Sequence, residues 1–196
     1  MSWPAAVVLR GTHAALLPLS AEHRAALADA ACDGELWRLW YTSVPSPDAM
    51  GAEIERRLAL QAAGTMLPFT VLDASGRVVG MTTYMHIDAA NKRVEIGSTW
   101  TARSAQRGPL NTAAKLLLLG HAFDALGCIA VEFRTHRLNP QSRSAIERLG
   151  AQLDGVLRAH QRSADGNLRD TAVYSITAPE WPAVRTHLEW QLVRPR

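Results

Sequence analysis

Residues 104–123 read SAQRGPLNTAAKLLLLGHAF, a polar loop with Gly108 and Pro109 directly ahead of a leucine-rich segment. Pro is common at the start of a helix, where the amide that it lacks would have no partner. The segment predicts a mostly buried helix over residues 109–126, ended by Gly127. Its first-turn amides, at the positive end of the helix dipole, would suit a pyrophosphate, although a plain strand–helix connection explains the segment equally well.

The periodicity of apolar residues predicts elements in the order β–α–α–β–β–β–α–β–α–β–β–α. The predicted strands are residues 14–19, 67–72, 78–88, 94–100, 129–135, 156–161 and 168–176. The predicted helices are residues 20–31 and 47–63, capped by Ser20 and Ser46, then 109–126, 141–149 and 180–191, with a further helical turn in 33–40. Strands 67–72, 78–88 and 94–100 should form an antiparallel meander, and Asp165-Gly166 should turn between the last two strands.

Length and composition limit the class of protein. A chain of 196 residues with 47% hydrophobic content fits one domain over residues 1–196. A net charge of +3 with only two lysines, Lys92 and Lys115, argues against a nucleic-acid partner. Cys32 and Cys128 lie far apart without metal-ligand spacing, so we expect free, mostly buried thiols, no metal site and a cytoplasmic location. The longest apolar runs are too short to cross a membrane.

A second junction between a strand and a helix occurs at residues 139–150, NPQSRSAIERLG. Taken alone, Ser142 is most simply the helix cap and Asn139 a turn former. If the two strands that precede residues 104–123 and 139–150 are neighbours, the two junctions open at one sheet edge. Such an edge makes a cleft for a long ligand that bears phosphate.

In combination, these stretches resemble the GCN5-related N-acetyltransferase superfamily, in particular the branch of ribosomal-protein N-terminal alanine acetyltransferases. The resemblance covers about residues 8–178 and is carried by VVGMTTYMHID, VEIGSTW, QRGPLNTAAKLLLLGHAFDALG, VEFRTHRLNPQSRSAIERLGA and DGVLRAHQRSADGNLRDTAVYSI. It implies an α/β (α+β) fold: the three-layer α/β/α acyl-CoA N-acyltransferase fold, with a central mixed, mostly antiparallel sheet.

The resemblance also implies that acetyl-coenzyme A (acetyl-CoA) lies between diverging parallel strands, here residues 94–100 and 129–135. Pro109 stands where the family's phosphate loop has Gly, which removes one amide donor from the loop. A fold that persists without productive coenzyme A binding is therefore one alternative. The cofactor-binding residues implied are Thr99, Trp100, Thr101, Gln106, Arg107, Gly108, Leu110, Asn111, Thr112, Asn139, Ser142 and Arg143.

Acetyl transfer to an amine requires a base, and Glu95 in VEIG is the first candidate. Its carboxylate would equally suit a cross-strand salt bridge with an Arg such as Arg93 or Arg137. His86 and His136 are rival bases.

By the same resemblance, Ser142 hydrogen-bonds to the leaving thiolate, and Tyr174 is a possible substitute whose strand position favours packing. Trp37, Trp40 and His86 are the candidate acceptor-binding residues, although the two indoles fit a core position better.

The sequence thus predicts an N-acetyltransferase that moves acetyl from acetyl-CoA to a primary amine by direct attack in a ternary complex. The acceptor is a protein N-terminus, an amino acid or peptide, or an amino-bearing small molecule. The alternatives are a catalytically impaired binding module and a ribosome- or RNA-associated protein. A homodimer is expected from the family and from the apolar stripe Trp181, Val184 and Leu188, which core packing would also explain.

Overall fold

The structure is a computed structural model, and it describes residues 3–41, 43–163 and 166–194. An eight-stranded sheet runs through these residues in the order β1-β2-β3-β4-β5-β6-β8-β7. The strands are β1 (Leu9–Arg10), β2 (Ala14–Pro18), β3 (Met66–Asp73), β4 (Val78–Asp88), β5 (Arg93–Thr101), β6 (Ala130–His136), β7 (Gln152–Arg162) and β8 (Leu168–Thr177). Only β5 and β6 pair in parallel, so the sheet is mixed and mostly antiparallel, as predicted.

The helices are α1 (Arg24–Cys32), α2 (Met50–Ala62), α3 (Leu110–Gly120), α4 (Pro140–Glu147) and α5 (Trp181–Val193). Neighbouring residues of β4 show how they are layered. Thr83 contacts Arg57 of α2, while Thr82 contacts Lys115 of α3. Because successive side chains of a strand point to opposite faces, α2 and α3 cover opposite faces of the sheet. The predicted three-layer arrangement is confirmed.

The core lies between the sheet and its helices. Leu118 and Leu119 of α3 are fully buried, as are Phe69 and Tyr84 of the meander. The apolar stripe of α5 is buried too, so core packing explains it without a second subunit. This dense packing holds α3 in a fixed position against β2 and α5.

Local sequence signals set most of the boundaries. Ser20 accepts a hydrogen bond from the amide of Glu22 and caps the 3₁₀ turn Ala21–His23 that leads into α1, so this predicted cap is confirmed. Ser46 accepts one from Ala49, but Ala49 is the N-cap of α2, so the predicted cap at Ser46 was wrong. The helical turn predicted in residues 33–40 is a single 3₁₀ turn, Leu36–Arg38. Glu35, the residue before it, has a left-handed backbone conformation.

Several predicted boundaries were wrong. α1 begins at Arg24 rather than at residue 20, and α2 begins at Met50 rather than at residue 47. Pro109 is the N-cap of α3, not its first residue, and the helix widens into a π-helical turn at His121–Ala125 before Gly127. β7 starts at Gln152 rather than at residue 156.

Two further predictions concern the cysteines and the turn between the last two strands. Cys128 is buried as expected, and burial raises its pKa to about 11, but Cys32 is exposed. Asp165 of the predicted last turn lies outside the described residues.

Candidate active site

The site is built where β5 and β6 separate. Parallel pairing joins Arg93, Val94 and Glu95 to β6 and ends at the pair Glu95–Glu132. Beyond that pair, the β5 edge that faces β6 has no strand partner in the described chain. Its backbone groups can therefore pair with an extended ligand, as the resemblance implies for the pantetheine arm.

A β-bulge lies in β5 just beyond this point. The register with β4 shifts between the pairs Thr83–Gly97 and Met81–Trp100, and Ser98 adopts a positive φ of 46°. Arg57, which is 2% exposed, donates to Thr83 Oγ1 at 2.7 Å and to the Ser98 carbonyl oxygen at 3.4 Å. This guanidinium is paired at 2.6 Å with the Glu53 carboxylate, which also binds Arg56, so an ion-pair network fixes the bulge.

A second buried cation reaches the same bulge from the other face. Lys115 is 6% exposed, and its Nζ lies 2.9 Å from Thr99 Oγ1 and 3.4 Å from Thr82 Oγ1. The described chain places no carboxylate in salt-bridge range of this ammonium. Burial lowers the pKa of Lys115 to about 7.

The first turn of α3 leaves its amides available. Pro109 caps the helix without a side-chain hydrogen bond, and the amides of Leu110, Asn111 and Thr112 have no acceptor among the described residues. These are the groups that the sequence analysis assigned to a pyrophosphate. The missing amide of Pro109 lies one residue before the turn and removes none of the three.

The loop before α3 borders a cavity of about 380 Å³ lined by Gln106, Gly108, Pro109 and Leu110, with Arg77 across from them. Gln106 Nε2 holds the loop by donating to the Thr101 carbonyl at 2.9 Å. Arg107 is exposed, with a left-handed φ of 60°. The cavity thus lies beside the loop and the first residue of α3.

Several predicted cofactor residues have side chains committed to the protein. Trp100 and Leu110 are core side chains, so only their backbone could meet a ligand. Thr112 is buried, and its hydroxyl accepts from Arg148 at 3.3 Å. Thr99 is exposed and bonds to Lys115.

At the second junction the predicted roles are exchanged. Asn139 is the N-cap of α4, and its Oδ1 accepts from the amide of Ser142 at 2.9 Å. Ser142 is therefore not the cap, because Pro140 begins the helix and places Ser142 in its third position. The Ser142 hydroxyl makes no hydrogen bond within the described chain, and it remains available.

Arg143 points away toward β8. Its Nε donates to the hydroxyl of Tyr174 at 2.8 Å, and that hydroxyl donates to Glu147 at 2.7 Å. Tyr174 is fully buried, and burial raises its pKa. The expected packing role of Tyr174 is confirmed.

Glu95 is at the centre of the acceptor side. Its carboxylate is 4% exposed, and Oε2 lies 2.6 Å from His86 Nδ1 and 3.5 Å from Arg134 Nε. The expected arginine partners were wrong, since Arg93 pairs with Glu132 and Arg137 with Asp170. The His86 ring is half exposed, and its hydrogen bond to Glu95 raises its pKa. Glu95 and His86, two of the three candidate bases, thus form one hydrogen-bonded pair.

Gly97 makes room for this carboxylate. A Cβ built on Gly97 would lie 2.6 Å from Glu95 Oε1 and 2.7 Å from Met85 Sδ. Real side chains do not approach so closely, so Gly97 is required for the observed position of Glu95.

The aromatic candidates lie on the same face of the sheet. Trp40 is 64% exposed, and its ring meets that of His136 edge to face at 5.2 Å, so the expected core position was wrong. Trp37 is only partly buried. His136 is buried, accepts from the amide of Leu138, and has a pKa lowered mainly by burial.

The sequence analysis missed Arg57, Lys115 and Arg134. Lys115 carried a usable signal, because it is a lone cation within an apolar helix. Arg57 and Arg134 carried none, since the contacts that bring them to the site, to Thr83 and to Glu95, join residues distant in the chain. Among the described residues there is no cluster of His, Cys, Asp and Glu that could hold a metal ion, and no helix has the length and apolarity to span a membrane.

Comparison with known proteins shows the family of this chain. The acetyltransferase (GNAT) domain model matches residues 14–152. A GCN5-related N-acetyltransferase from Brucella melitensis is 34% identical, with 97% of this chain and 87% of that chain covered and a TM-score of 0.84. Mycobacterium smegmatis RimJ, solved in complex with CoA-disulfide, is 25% identical, with 96% and 95% covered and a TM-score of 0.78.

A curated relative, YdaF of Bacillus subtilis, is described as a candidate ribosomal N-acetyltransferase and is 30% identical over 106 residues. That match covers 54% of this chain and 57% of the relative. The domain match and the full-length structural likenesses reach further. The chain therefore belongs to the GNAT family, the enzymes that move an acetyl group from acetyl-CoA to an amine.

Proposed function

We propose that this chain acetylates a primary amine, with Glu95 and His86 accepting the proton of the attacking nitrogen. The observation that carries the proposal is the position of the buried Glu95 carboxylate. It lies where β5 and β6 separate, in contact with a half-exposed imidazole. A carboxylate held beside an exposed His can pass a proton to solvent.

The residues present fit acetyl-CoA. The three free amides of Leu110, Asn111 and Thr112 match the charge of a pyrophosphate, and the unpaired edge of β5 matches an extended arm with amide groups. The loop residues Gln106 to Gly108 would close over the phosphates. The RimJ structure, which shares this fold and was solved in complex with CoA-disulfide, supports binding of coenzyme A by this fold.

Acetyl-CoA supplies the acetyl group: a C–N bond to the amine forms, the C–S bond breaks, and coenzyme A leaves as a thiolate that takes up a proton from solvent. The Glu95–His86 pair takes the proton that the nitrogen loses. Arg134, at 3.5 Å from Glu95, holds the carboxylate in place through an ion pair.

Ser142 and Asn139 are proposed at the thiol end. The unbonded Ser142 hydroxyl can donate a hydrogen bond to the departing sulfur, which collects charge as the bond breaks. Asn139 uses its oxygen for the cap, so its NH₂ group is the part left for a ligand. Trp37, Trp40 and His86 line the acceptor side in this proposal.

The test measures thiol release from acetyl-CoA with a panel of amines. We expect Glu95→Gln to lower kcat by about 100-fold or more, the usual range for a lost general base, with acetyl-CoA Kd changed less than about threefold. His86→Gln should lower kcat less. Because its hydrogen bond to Glu95 raises the pKa of His86, the wild-type rate should rise as pH passes above the ordinary range of His, and His86→Gln should lose that rise.

Glu132→Gln is the matched control, because Glu132 is the adjacent carboxylate of the same ion network and contacts Arg93 and Arg134. A loss in Glu132→Gln as large as in Glu95→Gln would mean that the network, and not the base, was damaged. Failure to bind acetyl-CoA in calorimetry would favour the binding-module alternative.

The proposal extends to the acceptor class, the cellular location and the oligomeric state. The acceptor class includes protein N-termini, in line with the described function of the ribosomal relative. A cytoplasmic location agrees with two free cysteines among the described residues. A homodimer is testable by sedimentation, and steep salt-dependent RNA binding would revive the RNA-associated alternative.

A further inference from the structure

The face of the sheet that carries Glu95 is polar across three strands. Glu95 is level with Glu132 of β6, and His136 of β6 is level with Thr171 of β8. Directly paired residues share a face, and residues two apart along a strand do so as well. Arg169 of β8 therefore lies on the same face as Glu95, Glu132 and His136.

The other charges of this face are compensated. Arg93 and Arg134 pair with Glu132, and Arg134 also reaches Glu95. At the edge of the face, Asp170 pairs with Arg137 and Arg158. Within the described chain, these contacts leave none of the neighbouring carboxylates for a further cation.

Arg169 is the exception. Its half-buried guanidinium forms neither a hydrogen bond nor an ion pair with the described residues, and its Nε is fully buried without a partner. Glu95 acts on it at longer range, and its positive charge acts in turn on His136, whose ring meets Trp40. A buried N–H without an acceptor is costly, so a ligand that supplies one gains that energy on binding.

We propose that Arg169 binds a carboxylate of the amine acceptor, so that the enzyme selects acceptors carrying a carboxylate near the reacting nitrogen. The guanidinium matches a carboxylate in shape and charge. The amine would then lie toward Glu95 and His86, and the exposed indole of Trp40 would cover the acceptor. This inference rests on the proposed function and adds the substrate class to it.

The test compares acceptors that differ only in the carboxylate, at saturating acetyl-CoA. One arm uses the peptide amides Ala-Asp-Ala-Ala and Ala-Asn-Ala-Ala; the other uses alanine and alaninamide. The arms distinguish a side-chain carboxylate from an α-carboxylate. In at least one arm, we expect the acceptor that carries the carboxylate to have a KM about tenfold lower than the acceptor in which an amide replaces it. A charged hydrogen bond contributes about 1.5 kcal/mol or more.

In Arg169→Gln that KM ratio should fall to about one while kcat changes little, and Arg169→Lys should restore part of it. Arg137→Gln, at an exposed arginine that Asp170 already pairs, is the control and should keep the ratio. Equal KM values in the wild type, or a ratio that survives Arg169→Gln, would overturn the inference. So would weaker acetyl-CoA binding by Arg169→Gln with an unchanged ratio, because Arg169 would then serve the donor.

If acetyl-CoA does not bind at all, the proposed function fails by itself. The carboxylate preference is then read by titrating the same peptides into the protein. It must appear in the wild type and vanish in Arg169→Gln.

Discussion

The two halves of the candidate site differ in the groups that they offer to a ligand. On the acceptor half, side chains carry the charges, and Glu95 is matched by His86 and Arg134. On the donor half, the free groups are backbone amides at the start of α3, and the nearby Lys115 is buried without a carboxylate. The first half depends on which side chains are present, while the second depends on backbone geometry and on one uncompensated ammonium.

The largest expected effect concerns that ammonium. Burial lowers the pKa of Lys115 to about 7, whereas an unfolded lysine titrates near 10.4. Between these values the unfolded chain binds more protons than the folded one. The stability cost of Lys115 is therefore full below pH 7 and shrinks as pH rises, by about 1.4 kcal/mol per pH unit.

From pH 7 to pH 9, the unfolding free energy of the wild type should rise by about 2–3 kcal/mol relative to Lys115→Met, measured by urea denaturation. Taking the difference between the two proteins removes the contributions of His86 and Cys128, whose raised pKa values both proteins share. If the unfolding free energies of the two proteins changed in parallel with pH, the charge of Lys115 would be compensated in the folded state. The donor half would then hold no uncompensated ammonium.

The next prediction concerns the acceptor half. Gly97→Ala should displace the Glu95 carboxylate, because the added Cβ would lie 2.6 Å from Oε1. We expect kcat to fall on the order of 100-fold, as misplacements of about 1 Å do in other sites, with acetyl-CoA Kd little changed. Steady-state kinetics check this.

The double variant Gly97→Ala/Glu95→Gln tests the cause. If Gly97 acts through Glu95, the double variant should be no slower than Glu95→Gln alone. Additive losses would mean that Gly97 acts by some other route, such as the course of β5.

A backbone change tests the donor half. Asn111→Pro removes one amide of the first turn of α3, and Pro182 at the second position of α5 shows that this chain accepts Pro there. Acetyl-CoA Kd should rise about tenfold, the loss of one charged hydrogen bond. Asn111→Ala keeps the amide and should keep the affinity. Equal losses in both variants would assign the effect to the side chain and blur the contrast between the halves.

The same contrast explains what the sequence could predict. Periodicity predicted the order of the elements except for β1, the Ser20 cap marked the first helical segment, and the proline before a leucine-rich helix located the free amides of α3, since these features are local. The partners of Glu95 were not predictable, because they depend on the register of β4 against β5, which shifts between Met85 and Asp88. The exposure of Trp40 depends likewise on a loop conformation.

The smallest expected effect separates two uses of one residue, at the other helix start of the site. The side-chain oxygen of Asn139 caps α4, whereas Pro109 is the N-cap of α3 without a side-chain hydrogen bond. Asn139→Ala should lower the unfolding free energy by about 1 kcal/mol, and Asn139→Ser, which can still cap, should restore most of it. If the NH₂ group of Asn139 also binds the donor, both variants should weaken acetyl-CoA binding about fivefold, because neither has that group. A binding loss that Ser repairs would mean that Asn139 serves the site only by holding α4 in place. Stability then follows the oxygen and affinity follows the nitrogen, so unfolding curves and calorimetry on the same two variants assign each atom its role.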